Sequence, residues 1–254
     1  MGADLPLVHS ILAIPGLVLR RDWLRAQIRE RPLAEVVPEV NAVCESAEAL
    51  VESSREALVA WVAVLVGNVG APLLDDMRRL AHGCGCRCLE RLLRTYSIPS
   101  VPEPEQTGVP YNPALGRELT VGERRSLARM PHRGKFERLL KDPHPLVLRQ
   151  LLGNPKLTEN DVLKLAAMRP ARASTIETLA EFPDWLVRTR IRMALLSNPM
   201  TPSHVAVPLT ALCTRPELAE IADNPALHVV LRVVAQELLD KHPPLGRVAT
   251  ETLQ

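Results

Sequence analysis

LLGNPKLTENDVLKLAAMRPA, residues 151–171, holds a helix end, a helix start and a second helix end in close succession. Asn154-Pro155 stops whatever precedes it, because a proline pushes the residue before it out of helical geometry. Thr158 then stands three residues before Asp161, the arrangement in which a hydroxyl and a carboxylate satisfy the free amides of a new helix's first turn. Leu165-Ala166 continues that helix, and Arg169-Pro170 stops it.

The same punctuation recurs outward from this stretch. Leu119-Thr120-Val121-Gly122-Glu123, leading to Leu127-Ala128, stands 38 residues earlier at every matched position. Met200-Thr201-Pro202-Ser203-His204, leading to Leu209-Thr210, is a looser third copy with one residue inserted, in which Pro202 takes the first helical position. Met130-Pro131, Arg169-Pro170 and Arg215-Pro216 follow the first helix of each copy. Asp142-Pro143, Phe182-Pro183 and Asn224-Pro225 precede a longer helix at spacings of 40 and 42, and Asn154-Pro155 and Asn198-Pro199 end that helix 44 residues apart. A final helix is expected from 227 to 241, its apolar stripe formed by Val229, Val230, Val233, Val234 and Leu238.

A period near 40 holding two or three short amphipathic helices resembles the HEAT-like and leucine-rich-repeat-variant α-helical solenoids. More narrowly, it resembles uncharacterised repeat proteins of high-GC bacteria with comparable LLxNPxLT and RPA segments. The resemblance spans about 115–242, half the chain, and rests on punctuation. It implies a short all-α solenoid, a scaffold with a binding role, and no active-site residue. An irregular helical bundle with proline-rich connections is the alternative.

The rest of the composition agrees with helices. Of 254 residues 46% are hydrophobic and only 3% aromatic, so Leu, Val, Ala and Ile must build the core. Helices are expected at 18–30, 33–53, 55–67 and 71–95, forming an N-terminal helical region over 1–98. Pro99, Pro102, Pro104, Pro110 and Pro113 make 99–113 a linker or strap. The repeat region follows at 114–242, and 243–254 reads as a loose tail. The uncharged run 57–74 is broken by Gly67, Asn68, Gly70 and Pro72 and is not expected to span a membrane, although 57–66 could attach to a membrane surface. Asp4 stands where a secretion signal wants a cation, and the five cysteines do not form a disulfide framework, so a reducing cytoplasm is expected.

Charge supplies the remaining hints. The net charge is +2, but residues 117–149 carry nine Arg or Lys against four Asp or Glu, a local excess that suits an acidic partner or a solvated helix face. Arg149, Arg188, Arg192 and Arg232 fall at comparable places in successive copies. In a stack they would form a ladder able to bind carboxylate or phosphate, or they would pair with Asp, Glu or helix-end carbonyls of adjacent copies. His82, Cys84, Cys86 and Cys88 are the one set of metal-ligand types, yet the spacing is too tight for a structural zinc site and no second ligand pair follows, which leaves packing, or a redox role through Cys84, Cys86 or Cys88, as the other readings. No nucleophile elbow or phosphate loop occurs. The expected function is therefore a non-enzymatic, cofactor-free scaffold for a protein partner. The alternative is a nucleic-acid-binding protein akin to the HEAT-like DNA glycosylases, using the arginine face with Trp185 and Asp184.

Overall fold

A computed structural model of the chain describes residues 5–67, 70–98, 111–112, 116–130 and 133–241, and the fold is all-α. The N-terminal part comprises α1 (Pro6–Leu12), α2 (Leu17–Glu30), α3 (Leu33–Glu48), α4 (Glu52–Val66), α5 (Ala71–Gly83) and α6 (Arg87–Leu92). Two expected helices end early, for the same reason. After Glu48 the chain turns through Leu50 at φ 66°, with Leu50 N–H donating to Ala47 O and Val51 N–H to Ser46 O. After Gly83 it turns through Gly85 at φ 66°, with Gly85 N–H donating to His82 O and Cys86 N–H to Ala81 O. Both are Schellman ends, in which a left-handed residue turns the chain back on the last free carbonyls. The expected single helix over 71–95 is thus two. α1 was not expected; Pro6 sits in its first turn.

Most of the linker 99–113, and the tail 243–254, lie outside the described residues. Tyr111–Asn112 (β1) pairs antiparallel with Arg117–Glu118 (β2) in a minimal hairpin. The helices that follow are α7 (Val121–Arg129), α8 (Phe136–Leu139), α9 (Pro145–Leu152), α10 (Glu159–Ala166), α11 (Ala173–Ala180), α12 (Pro183–Leu186), α13 (Thr189–Leu196), α14 (Ser203–Leu209), α15 (Arg215–Asp223) and α16 (Val229–Lys241). Capping boxes start α7 at Thr120–Glu123 and α10 at Thr158–Asp161. In the third copy Pro202 is the N-cap, one place earlier than expected. Thr201 is fully buried and its hydroxyl donates to Leu195 O (2.6 Å); the third box instead starts α15, at Thr214–Glu217.

One core runs through both halves, and α4 is its axis. Every residue from Ala60 to Val66 is buried, because α1, α2 and α3 pack around α4 on one side and α11 and α14 on the other. A helix that is apolar all round is a core helix, and this corrects the reading of 57–66 as a membrane-surface element. Among the described residues no helix is long and apolar enough to cross a membrane. α2 also meets α12, and α6 meets α14.

α16 is rotated from its expected setting. Leu231, Val234, Ala235 and Leu238 face the core, whereas Val229 and Val233 are 60% and 44% exposed. The buried set follows the i, i+3, i+4, i+7 spacing that the apolar run alone left ambiguous.

Candidate functional site

The four expected binding arginines lie on α9, at the start of and within α13, and on α16, and each is engaged within the fold. Arg149, on α9, makes a two-pronged bond to Glu181 just past α11 (2.7 and 2.6 Å), which raises its pKa further. Arg188 bonds Glu159 (3.1 Å) and lies over the Trp185 ring at 4.6 Å, while the Trp185 indole N–H donates to Leu152 O. Arg232 donates to Ala222 O at the end of α15 (3.0 Å).

Arg192 departs most from expectation. Its side chain is only 6% exposed and donates to both oxygens of Glu217 on α15 (3.1 Å each), to Val187 O and to Thr189 Oγ1. Sequence spacing put Arg188 and Arg192 on one helix face. The chain instead breaks after α12, leaving Arg188 as the extended N-cap of α13, so the two guanidiniums diverge. Arg192 is a buried, ion-paired group tied to the next copy rather than an exposed rung beside Arg188.

The cysteine segment is explained by the turn it makes. Gly85 and Cys86 form the end of α5 described above, and Asn41 on α3 accepts bonds from Cys88 N–H and Leu89 N–H (3.1 Å each), capping α6 across the core. Cys86 and Cys88 are buried, Cys84 is exposed, and His82 points outward to Glu90 (2.9 Å). Among the described residues no three His, Cys, Asp or Glu groups converge on a metal position, so the ligand reading of His82, Cys84, Cys86 and Cys88 has no geometry behind it. Cys88 Sγ donates to Glu48 (3.1 Å), and burial together with Glu48 pushes its thiol pKa up. Such a thiol is a poor nucleophile.

Among the described residues, clefts open where the N-terminal helices meet the later ones, and two of them have walls rich in polar side chains. The larger, about 480 Å³, lies between α5 and helices α9, α11 and α14, with Arg78, Arg149, Glu177, Glu181, Ser203 and His204 on its walls. His204 is half-buried; burial lowers its pKa below the ordinary 6.5, opposed by Glu177 at 3.7 Å. A neutral imidazole beside the Ser203 hydroxyl can donate and accept hydrogen bonds. The smaller cleft, about 370 Å³, is lined by Arg192, Glu48, Cys44 and Cys213; burial pushes Cys213 up to about 12. No sequence signal joins Arg78 to His204 or Cys44 to Cys213, because these neighbours depend on how α4 docks the two halves of the chain.

No family model, curated protein or solved structure matches this chain.

Proposed function

We propose that this chain is a non-enzymatic cytoplasmic scaffold for protein partners, built on a short α-solenoid of HEAT-like repeats with α1–α6 laid along its flank. The observation that carries the repeat reading is a clamp made twice. Asn154 Nδ2, just after α9, donates to Ala128 O and Met130 O at the end of α7 (2.7 and 3.2 Å). Asn198 Nδ2, just after α13, donates to Ala166 O and Met168 O at the end of α10 (3.1 and 3.0 Å). Each Asn Oδ1 then accepts the N–H two residues on, from Lys156 and from Met200. The sequence repeat is therefore matched by a repeat in bonding, as expected when each copy closes in the same way.

Links between copies also recur. Arg149 of α9 reaches Glu181 beyond α11, and Arg192 of α13 reaches Glu217 of α15, so in both cases a helix of one copy is tied to the middle helix of the next. Solenoids propagate through such nearest-neighbour contacts and use their extended surfaces for binding. The engagement of all four arginines within the fold favours a protein partner over nucleic acid. Five free thiols, four of them buried, agree with a reducing compartment.

The test is affinity capture from the native cell's lysate, with nuclease-treated and untreated halves at low and moderate salt. Protein partners retained through nuclease and salt support the scaffold. Recovery of nucleic acid that is lost with salt overturns it.

A further inference from the structure

The structure separates paired from unpaired charge in the basic stretch 117–149. Arg117 is neutralised by Glu123 (2.9 Å), Arg124 by Asp142 (2.7 Å), Arg133 by Asp161 (3.1 Å) and Arg149 by Glu181 (2.6 Å). Arg129, Lys135, Arg138 and Lys141 are exposed, and among the described residues their side chains have neither an ion-pair nor a hydrogen-bond partner; Lys156 is in the same condition. Among the described residues of 116–156, Glu118 is the one carboxylate left without an ion-pair partner.

These cations share a small area. Lys135, Arg138 and Lys141 recur every three residues along α8 and the turns flanking it, while Phe136, Leu139 and Leu140 between them are buried and fix the opposite side to the core. Arg133 Nη1 donates to Lys156 O (3.0 Å), and Asn154 bonds Met130 O, which brings the 154–156 turn beside the end of α7 and Arg129. Met130, 43% exposed and next to Arg129 in the chain, adds apolar area beside them. Among the described residues the main packing of α1–α6 against the repeats falls on α11, α12 and α14, and α9 of this first copy faces α5 across the larger cleft.

We propose that this patch docks an acidic polypeptide segment carrying apolar side chains among its carboxylates. The inference rests on the scaffold reading and gives its partner a chemistry. Charge complementarity argues for the acidic ligand, and two observations argue for polypeptide over a long nucleic acid. Outside 117–149 the chain's other 22 basic residues are outnumbered by 25 acidic ones, so a polyanion longer than the patch meets like charge. Met130 also finds apolar partners on a peptide and none on a phosphate backbone.

The test measures binding of the full chain to a short fluorescent polyglutamate peptide interspersed with leucine, beside duplex DNA of equal charge. The expected result is salt-sensitive peptide binding that weakens about tenfold in Lys135→Gln/Arg138→Gln/Lys141→Gln, the loss three surface ion pairs supply. The control Arg188→Gln/Arg190→Gln should bind as wild type. No peptide binding, equal binding by the triple variant, or preference for the duplex overturns the proposal. So does a lowered Tm of the triple variant, which would mean that these side chains are engaged in the fold. The two readings fail separately: lysate partners kept by the triple variant refute the patch and leave the scaffold, whereas capture of only nucleic acid refutes the scaffold itself.

Discussion

Arg192 and Arg188 look alike in the sequence, four residues apart in an arginine-rich run, and the fold gives them opposite roles. Arg192 and Glu217 are 6% and 12% exposed at their side chains, so removing the guanidinium leaves a buried carboxylate without its counter-charge. Arg192→Ala should cost about 3–5 kcal/mol. Arg188, 46% exposed and paired with Glu159, should cost no more than about 1 kcal/mol when changed to Ala. Urea unfolding of the two variants measures the difference; a binding ladder made from both residues predicts two small effects.

His204 gives a pH dependence at the same scale. Its folded pKa is depressed, so the unfolded chain binds the proton more readily. The stability tied to neutral His204 is complete above the unfolded value near 6.5 and is lost as pH falls below it toward the folded value. Unfolding midpoints followed from pH 7 to about pH 5 should decline less steeply in His204→Gln than in wild type. An unchanged slope would show that the imidazole is not held neutral.

Among the elements, the two capped starts of α7 and α10 were legible in the sequence, whereas the start of α1 and some helix ends were not. Thr120–Glu123 and Thr158–Asp161 cap α7 and α10 as their spacing requires, since a capping box is a local interaction. The end of α3 was hidden because the left-handed position is held by Leu50, a residue that gives no warning of it. An L side chain there costs roughly 1–2 kcal/mol, so Leu50→Gly, at a half-exposed site, should leave stability unchanged or raise it by up to about 1 kcal/mol. Gly85→Ala imposes the same conformation on a Cβ and should lower stability by about 1 kcal/mol. Thermal unfolding reads both; destabilisation by Leu50→Gly would argue that its side chain contributes packing that outweighs the strain. The face of α16 was likewise ambiguous, since seven valines and leucines among its thirteen residues fit more than one rotation until α14 and α15 select one.

For the molecule as a whole, the sequence carried the helical class and the proline punctuation but not the join between the halves. That join is tertiary. α4 sits between α1–α3 and α11 with α14, and Arg91, 6% exposed, bonds Glu48 of α3 and Glu237 of α16, while Lys241 also reaches Glu48 (2.8 Å). No spacing within one segment encodes contacts between residues more than a hundred positions apart. For the same reason the arginines were found as a set while their partners were not, and the clefts flanking α4 had no signal in either half alone.

The central claim is that the copies are structural equivalents, closed by the same asparagine clamp. Its most direct test is the unfolding free energy of Asn154→Ala and Asn198→Ala, measured separately and together in denaturant. Each Asn is buried and satisfies two carbonyls, so each loss should cost about 1–3 kcal/mol, by similar amounts in the two copies, with the double variant close to additive. A large loss at one asparagine with none at the other would contradict the equivalence, and with it the repeat on which the scaffold reading stands.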